Sequence, residues 1–295
     1  MYHGIINIYK EKGYTSHDVV AKLRGILHQK KIGHTGTLDP DAEGVLPVCL
    51  GTATKLCEML TEKEKVYEAV LLLGKETDTQ DISGTVLSEF PVTVSEETVE
   101  EAVQSFLGEY WQVPPMYSAL KINGKKLYEL AREGKTVERQ ARKVILYEIA
   151  VLDMQLPRVW LRVRCSKGTY IRTLCSDIGE KLGCKGCMER LTRTRVSEFS
   201  IEDALPLDRV EQLEADGKLN THILAVDQIL KAYPAVTVQK EFCKLLYNGN
   251  SFALEDEKLE YSEQNLIRVY DWKGEFTALY SYCAGICYPV KMFLE

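Results

Sequence analysis

The sequence predicts an α+β protein: one large domain over residues 1–232 in which strands and helices intermingle, then a small β-rich unit over 233–295. Three observations carry this. Strand-like runs and amphipathic helical runs are interspersed from the first residues to about residue 230. Val144 to Asp153 and Val159 to Cys165 read as two paired strands. Beyond Tyr233 and Pro234 only short alternating runs remain, separated by Asn248-Gly249-Asn250, by Trp272 to Glu275 and by Gly285. A chain of 295 residues with 45% apolar content buries a normal core. A second unit of about sixty residues lies near the lower limit for an independent domain.

Taken in order, His3 to Tyr9 alternates like a strand, and Thr15 or Ser16 caps a helix whose Val19, Val20, Leu23, Ile26 and Leu27 share one face. The segment Gly33 to Pro40, GHTGTLDP, is a shaped loop with His34 five residues ahead of Asp39. Its glycines admit torsions closed to other residues, its Thr and Asp side chains can fix a turn, and Pro40 biases Asp39 towards extended backbone. Val45 to Leu50 is a short apolar run that reads as a buried strand, so Asp39 is expected at the mouth of a sheet. Glu64 to Gly74 is a long strand, Thr77 to Asp81 a polar turn, and Thr85 to Glu89 another strand. Ser95 opens an acidic-started helix to Phe106. After Pro114 and Pro115 comes an extended piece, then a short basic helix from Lys125 to Arg132 that ends near Gly134. In the later strand Val159, Leu161 and Val163 alternate with Arg158, Arg162 and Arg164, and a helix is expected from Thr169 to Leu182.

The N-terminus lacks the charged start and long apolar run of a signal peptide, and no window approaches 18 uninterrupted apolar residues, so the expected place is the cytoplasm. Nine cysteines cannot all pair within one chain and are expected as reduced thiols, mostly in the core. Cys184 and Cys187 with Cys283 and Cys287 make a four-thiolate zinc site conceivable if the two segments meet. A single CxxC is a weak signal, and no metal is expected.

The net charge of −6 speaks against nucleic acid only until it is divided. Residues 196–295 hold 9 Lys+Arg against 17 Asp+Glu, a balance of −8, which leaves 28 against 26, or +2, for residues 1–195. Lys121 to Lys143 carries eight basic and three acidic residues, and Arg158 to Arg195 ten and three. Such runs are usually solvated faces. Here Tyr117, Tyr128 and Tyr170 lie in or beside them, the mixture that a polynucleotide backbone and unstacked bases use.

The loop itself admits three readings. As a plain turn, Asp39 caps a backbone N–H and His34 is an ordinary surface residue. As the start of a calcium loop it fails, because Leu50 stands where the bidentate Glu belongs and Pro47 interrupts it. As a phosphate cradle it lacks a GK[ST] ending and runs into a strand rather than a helix.

Five separated blocks resemble one family together: GHTGTLDPDAEGVLP from Gly33, KVYEA from Lys65, PPMYSALKINGKKLYELAREG from Pro114, SKGTYIRTLCSDIGEKLG from Ser166 and LTRTRVSEF from Leu191. In that order they are similar to the bacterial tRNA pseudouridine-55 synthases, the TruB family, over almost all of residues 1–230. The chain departs at Glu11, where the family's Lys-Pro-x-Gly turn has proline. The resemblance implies a pseudouridine-synthase-type mixed, mainly antiparallel sheet flanked by helices, and a PUA-like RNA-binding unit at the C-terminus. It implies isomerisation of a T-arm uridine in tRNA, with no cofactor, no membrane and no obligate protein partner, by a monomer. Asp39 matches the catalytic aspartate, Arg172 the arginine set against it, and Tyr67 the tyrosine that stacks on uracil and is placed to help remove the C5 proton. Tyr170 and Leu191 match residues lining the uridine pocket, while Asp41 and Glu43 are left as structural. His34 is implied as the wedge that fills the space of the flipped base. Residues 116–143 form a basic flap in this reading, with Lys121, Lys125, Lys126 and Arg132 as contacts to the RNA backbone. A non-catalytic RNA-binding protein and a nucleotide- or phosphate-using enzyme are the competing classes.

Overall fold

The computed structural model describes residues 1–122, 124–254 and 265–294. β1 (Gly4–Lys10) leads into α1 (Ser16–Ile26). Thr15 is the N-cap, its side chain accepting from the Asp18 amide while the Asp18 carboxylate accepts from the Thr15 amide. β2 (Ile32–His34) and β3 (Glu43–Leu50) flank the armed loop, and α2 (Cys57–Thr61) precedes β4 (Lys65–Leu73). The small pair β5 (Lys75–Thr77) and β6 (Val86–Glu89) encloses the polar turn, and α3 (Glu96–Gln104), capped by Ser95, leads to β7 (Gly108–Gln112). The basic segment that follows, expected as a flap, consists of β8 (Lys121–Ile122), β9 (Lys125–Lys126) and α4 (Leu127–Arg132). β10 (Arg142–Gln155), β11 (Arg158–Cys165), α5 (Ile171–Lys181), β12 (Gly186–Val196), β13 (Phe199–Ser200), α6 (Leu207–Ala215) and β14 (Ile223–Leu224) complete the large sheet and its helices, with α7 (Val226–Ile229) as the exit.

The main sheet runs β14-β1-β3-β12-β4-β11-β10-β7, with β2 on β3 and β13 on β12. Its one parallel pairing is β12 with β3, so the sheet is mixed and mainly antiparallel. That pairing is what positions the site. It sets Arg193 beside Gly44, at the exit of the Asp39 loop, while the antiparallel partner of Arg193 on β4 is Tyr67. One apolar cluster joins α3 and α5 to β4, β10 and β11 through Val99, Leu174, Leu71, Ile149 and Leu161. A second joins α1 and α6 to β1 and β3 through Ile6, Ile8, Leu23, Leu46 and Val210. Burial at this scale is worth roughly 1.5–3 kcal/mol per large aliphatic side chain. The loop therefore hangs from a rigid frame.

The C-terminal part is a second sheet, β15 (Ala235–Thr237), β17 (Leu266–Tyr270), β18 (Phe276–Cys283), β19 (Ile286–Met292) and β16 (Phe252–Ala253) in that spatial order, with α8 (Cys243–Tyr247) on it. Its own core holds Val236, Leu246, Ile267, Val269 and Tyr280. Leu279 and Phe293 join Ile5, Val45, Leu56 and Leu230 in a cluster shared with the large sheet, and Lys55 Nζ donates to the Met292 carbonyl at 2.5 Å.

One expectation shifts in detail, and the cysteines stand as expected. The helix read from Thr169 begins at Ile171, leaving Tyr170 as the extended residue before it, because Gln112 accepts from the Tyr170 amide at 2.7 Å and donates to its carbonyl at 2.9 Å. Seven of the nine cysteines are buried and all are free thiols; Cys57 is half-buried and Cys283 exposed. Among the described residues no group of three or more His, Cys, Asp or Glu is gathered as a metal site, and no helix is long and apolar enough to cross a membrane.

Candidate active site

The loop between β2 and β3 is pinned at every turn. The Ala42 amide donates to the Asp39 carbonyl at 3.1 Å, closing a turn with Pro40 in the position its ring favours. Ser16 accepts from the Leu38 amide at 2.9 Å, so the first turn of α1 grips the loop one residue before the carboxylate. Thr35, buried, donates through both its amide and hydroxyl to the Pro47 carbonyl. The fully buried Lys10 ammonium donates to the carbonyls of Glu11 (3.1 Å), Tyr14 (2.5 Å) and Pro40 (3.2 Å). This clasp closes the turn where Glu11 replaces proline, and burial pushes the Lys10 amine down to about 8.

Asp39 projects from this loop with 41% of its side-chain surface open, while Arg172 in the first turn of α5 is buried to 8%. Arg172 Nη2 stands 3.1 and 3.3 Å from the two Asp39 oxygens and donates to the Tyr117 carbonyl at 2.7 Å. Its Nη1 lies 3.6 Å from Asp81. One guanidinium thus joins the armed loop, the root of the flap and the turn after β5. Burial pushes the Asp39 carboxyl above the usual carboxylate range; Arg172 and Lys10 pull it down, and Asp81 and Asp41 push it further up. The open fraction is the face a ligand can reach.

Tyr67, on β4, is buried, and burial raises its phenol while the neighbouring Arg193 lowers it. Tyr170 is half-buried, with its phenol raised by burial and lowered by the charge of Arg172; Asp39 acts in the opposite direction. Leu191, half-buried on β12 opposite Ala69, packs against the α5 cluster. His34 ends β2, half-buried, its Nδ1 accepting from the Gly36 amide at 3.3 Å and its ring 5.5 Å from the exposed His17 ring, edge to face. Burial and the nearby charges of His17 and Arg193 lower its imidazole, so it is neutral at pH 7. Lys121, Lys125 and Arg132 are exposed on the flap, and Lys126 is half-exposed. Lys126 and Arg132 flank the Tyr128 ring at 5.3 and 5.4 Å, and Lys125 reaches Glu133 at 3.5 Å. Glu43 accepts from Thr192 at 3.3 Å and Asp41 is exposed.

Three participants escape sequence reasoning. Asp81 sits in the turn read only as polar, where it also accepts from Thr79, from the Ser83 amide and from the Ser83 hydroxyl. Lys10 reads only as the lysine that opens the turn departing at Glu11, and Arg193 as one arginine of a basic run. The missed signal at Arg193 is its place between Leu191 and the loop's partner strand, which only the β12–β3 pairing reveals.

A family model described as the N-terminal domain of TruB family pseudouridylate synthase matches residues 24–171, and one for the C-terminal domain of tRNA pseudouridylate synthase B matches 172–231. A Lachnoclostridium phytofermentans protein named tRNA pseudouridine synthase B is 53% identical over 99% of this chain and 100% of its own length. The chain belongs to the TruB family. Proteins of the same name from Clostridium acetobutylicum (94% of each chain) and Bacillus pumilus (95% of this chain, 93% of its own) are 45% and 39% identical. Among solved structures, a chain of a Cbf5-Nop10-Gar1 complex is similar with a TM-score of 0.74 at 27% identity, covering 99% of this chain and 85% of that one. A chain of an H/ACA RNP bound to a substrate RNA containing 2′-deoxyuridine gives 0.73 at 25%, covering 99% and 86%. The boundary between the two TruB models falls between Ile171 and Arg172, inside α5, so the pair Asp39–Arg172 joins them.

Proposed function

We propose that this TruB family member converts the uridine at position 55, in the T-arm loop of tRNA, to pseudouridine, with Asp39 as the essential carboxylate. The observation that carries the reading is the partly open Asp39 held at 3.1 Å from a buried Arg172, on a loop bordered by Tyr67 and Tyr170. The reaction breaks the bond between N1 and C1′, turns the bound uracil and joins C5 to C1′. The C5 proton is released and N1 takes one up, so product and substrate are isomers. Cleavage builds positive character at C1′, and an ionised carboxylate can stabilise it, attack it or take a proton from C2′. All three roles need Asp39 charged, which is what Arg172 and Lys10 favour. Arg172, Tyr67 and Tyr170 complete the pocket, with Leu191 as its apolar wall.

His34 enters as a wedge. The flipped uridine leaves a gap whose unstacking costs roughly a few kcal/mol, and a neutral imidazole fills it without desolvating a charge. Residues 116–143 serve as the flap, with Lys121, Lys125, Lys126 and Arg132 facing the RNA backbone. Residues 1–232 act as the catalytic domain and 233–295 as a PUA-like RNA-binding unit, in a monomer without obligate protein partner. The test is pseudouridine mapping by mass shift in tRNA treated with the pure protein and with Asp39→Asn. Modification at the T-arm uridine by the wild type, its loss in the variant and near-equal RNA binding by both are the expected results; turnover by Asp39→Asn overturns the assignment.

A further inference from the structure

Arg193 is among the largest fully buried side chains of the molecule, at 1% exposure. Its Nε donates to the Val45 carbonyl at 2.7 Å, Nη2 to Gly36 at 3.4 Å and Nη1 to Thr37 at 3.5 Å. Directly across the β12–β4 pairing stands Tyr67, whose buried phenol the Arg193 charge lowers. Two of the carbonyls that accept from Arg193 belong to the loop that carries Asp39, and the third lies on β3, the strand after it. The phenol belongs to another strand. Its charge also bears on two further buried cations, Lys10 and Lys65, both held by backbone carbonyls and both lowered to about 8.

A cation this deep among other cations is disfavoured by burial, and a hydrophobic residue would fill the space without that penalty. What it supplies is geometry. Three carbonyl oxygens accept from its three nitrogens; a guanidinium presents these donors spread in a fixed plane, and an ammonium only from a single atom. Close packing leaves no slack: a Cβ on Gly44 would lie 2.3 Å from the Arg193 carbonyl oxygen, at a backbone φ of +107°.

We propose that Arg193 is a positioning residue that locks the Asp39 loop to β12 directly across from Tyr67, so that carboxylate and phenol meet the substrate base as one preset unit. This rests on the pseudouridine-forming reading of the site. Asp39 takes its charge partner from α5 and its position from β12, and the two can be separated by experiment.

The experiment compares the wild type with Arg193→Lys, Tyr67→Phe and the double variant, measuring kcat and KM on a T-arm stem-loop and amide hydrogen exchange along the chain. Arg193→Lys keeps the charge and loses the fork. Its kcat should fall about 10- to 100-fold, the range that a misplacement of about 1 Å produces, with KM within about threefold of wild type. The double variant should lose much less than the product of the single losses, because groups acting as a unit are not additive. Exchange should quicken in residues 34–42 and stay unchanged in β10 and β19. Tyr67→Phe, which removes one oxygen and keeps the ring, supplies the same comparison should the lysine variant not fold. Unchanged kcat, fully additive losses, or exchange that quickens throughout the chain as in a merely structural role would each overturn the proposal. If the wild type forms no pseudouridine, the functional reading fails, and loop exchange still decides the lock.

Discussion

Replacing Arg172 with Met removes the charge facing Asp39 while keeping much of the buried stem. The pair is 3.1 Å apart, which by Coulomb's law is about 5 kcal/mol at an effective dielectric of ~20 and about 1.3 kcal/mol in bulk water. With 41% of the Asp39 side chain open, solvent screening brings the value towards the lower end, roughly 2 kcal/mol, or about 1.5 pH units. Burial and Asp81 already raise the Asp39 carboxyl, so removing the cation raises it further. The sign follows: the reaction needs the ionised form, activity is lost as pH falls through the Asp39 titration, and a higher pKa moves that loss to higher pH. The assay is the pH profile of kcat/KM, followed by release of tritium from C5-labelled uridine in a T-arm stem-loop. The acid limb of Arg172→Met should shift upward by about 1–2 units. Arg172→Lys, which retains the charge but cannot serve Asp39, Asp81 and the Tyr117 carbonyl with the same planar geometry, should shift less while still losing kcat. An acid limb that stays in place in Arg172→Met would refute the electrostatic account of Asp39.

Four further outcomes follow from the site. His34→Ala should weaken turnover of a folded stem-loop by about tenfold more than that of a substrate whose target base is already unpaired, since the wedge matters only when stacking must be broken; equal losses on both contradict the wedge. Because the His34 imidazole is lowered, the wild type should show no activity limb from it above pH 7. Lys125→Ala with Lys126→Ala should reduce the slope of log affinity against log salt by up to about 1.5 in filter binding, two phosphate contacts at ~0.7–0.9 each. Gly44→Ala places a Cβ 2.3 Å from the Arg193 carbonyl at φ +107° and should destabilise by at least about 2–4 kcal/mol in urea titration.

The sequence by itself determined the chemistry-bearing loop, the order of the elements and the family. GHTGTLDP declares a fixed turn through its own torsional needs, and period-2 and period-3.6 patterns are local properties of a chain. The pairing of Asp39 with Arg172 was legible because each lies in a block that reads as a unit. Asp81 was not, because a turn rich in Thr and Asp looks the same whether or not an arginine 91 residues later reaches it. Nor was the choice between Thr15 and Ser16: both can cap, and only the approach of Leu38 turns Ser16 into a clamp on the loop. Lys10 and Arg193 read as ordinary basic residues, since burial of a charge depends on carbonyls delivered by distant segments and leaves no trace in spacing. The parallel pairing of β12 with β3 decides the surroundings of Arg193. Strand neighbours in a sheet are chosen by long-range packing, and that choice set Tyr67, Arg193 and the Asp39 loop side by side.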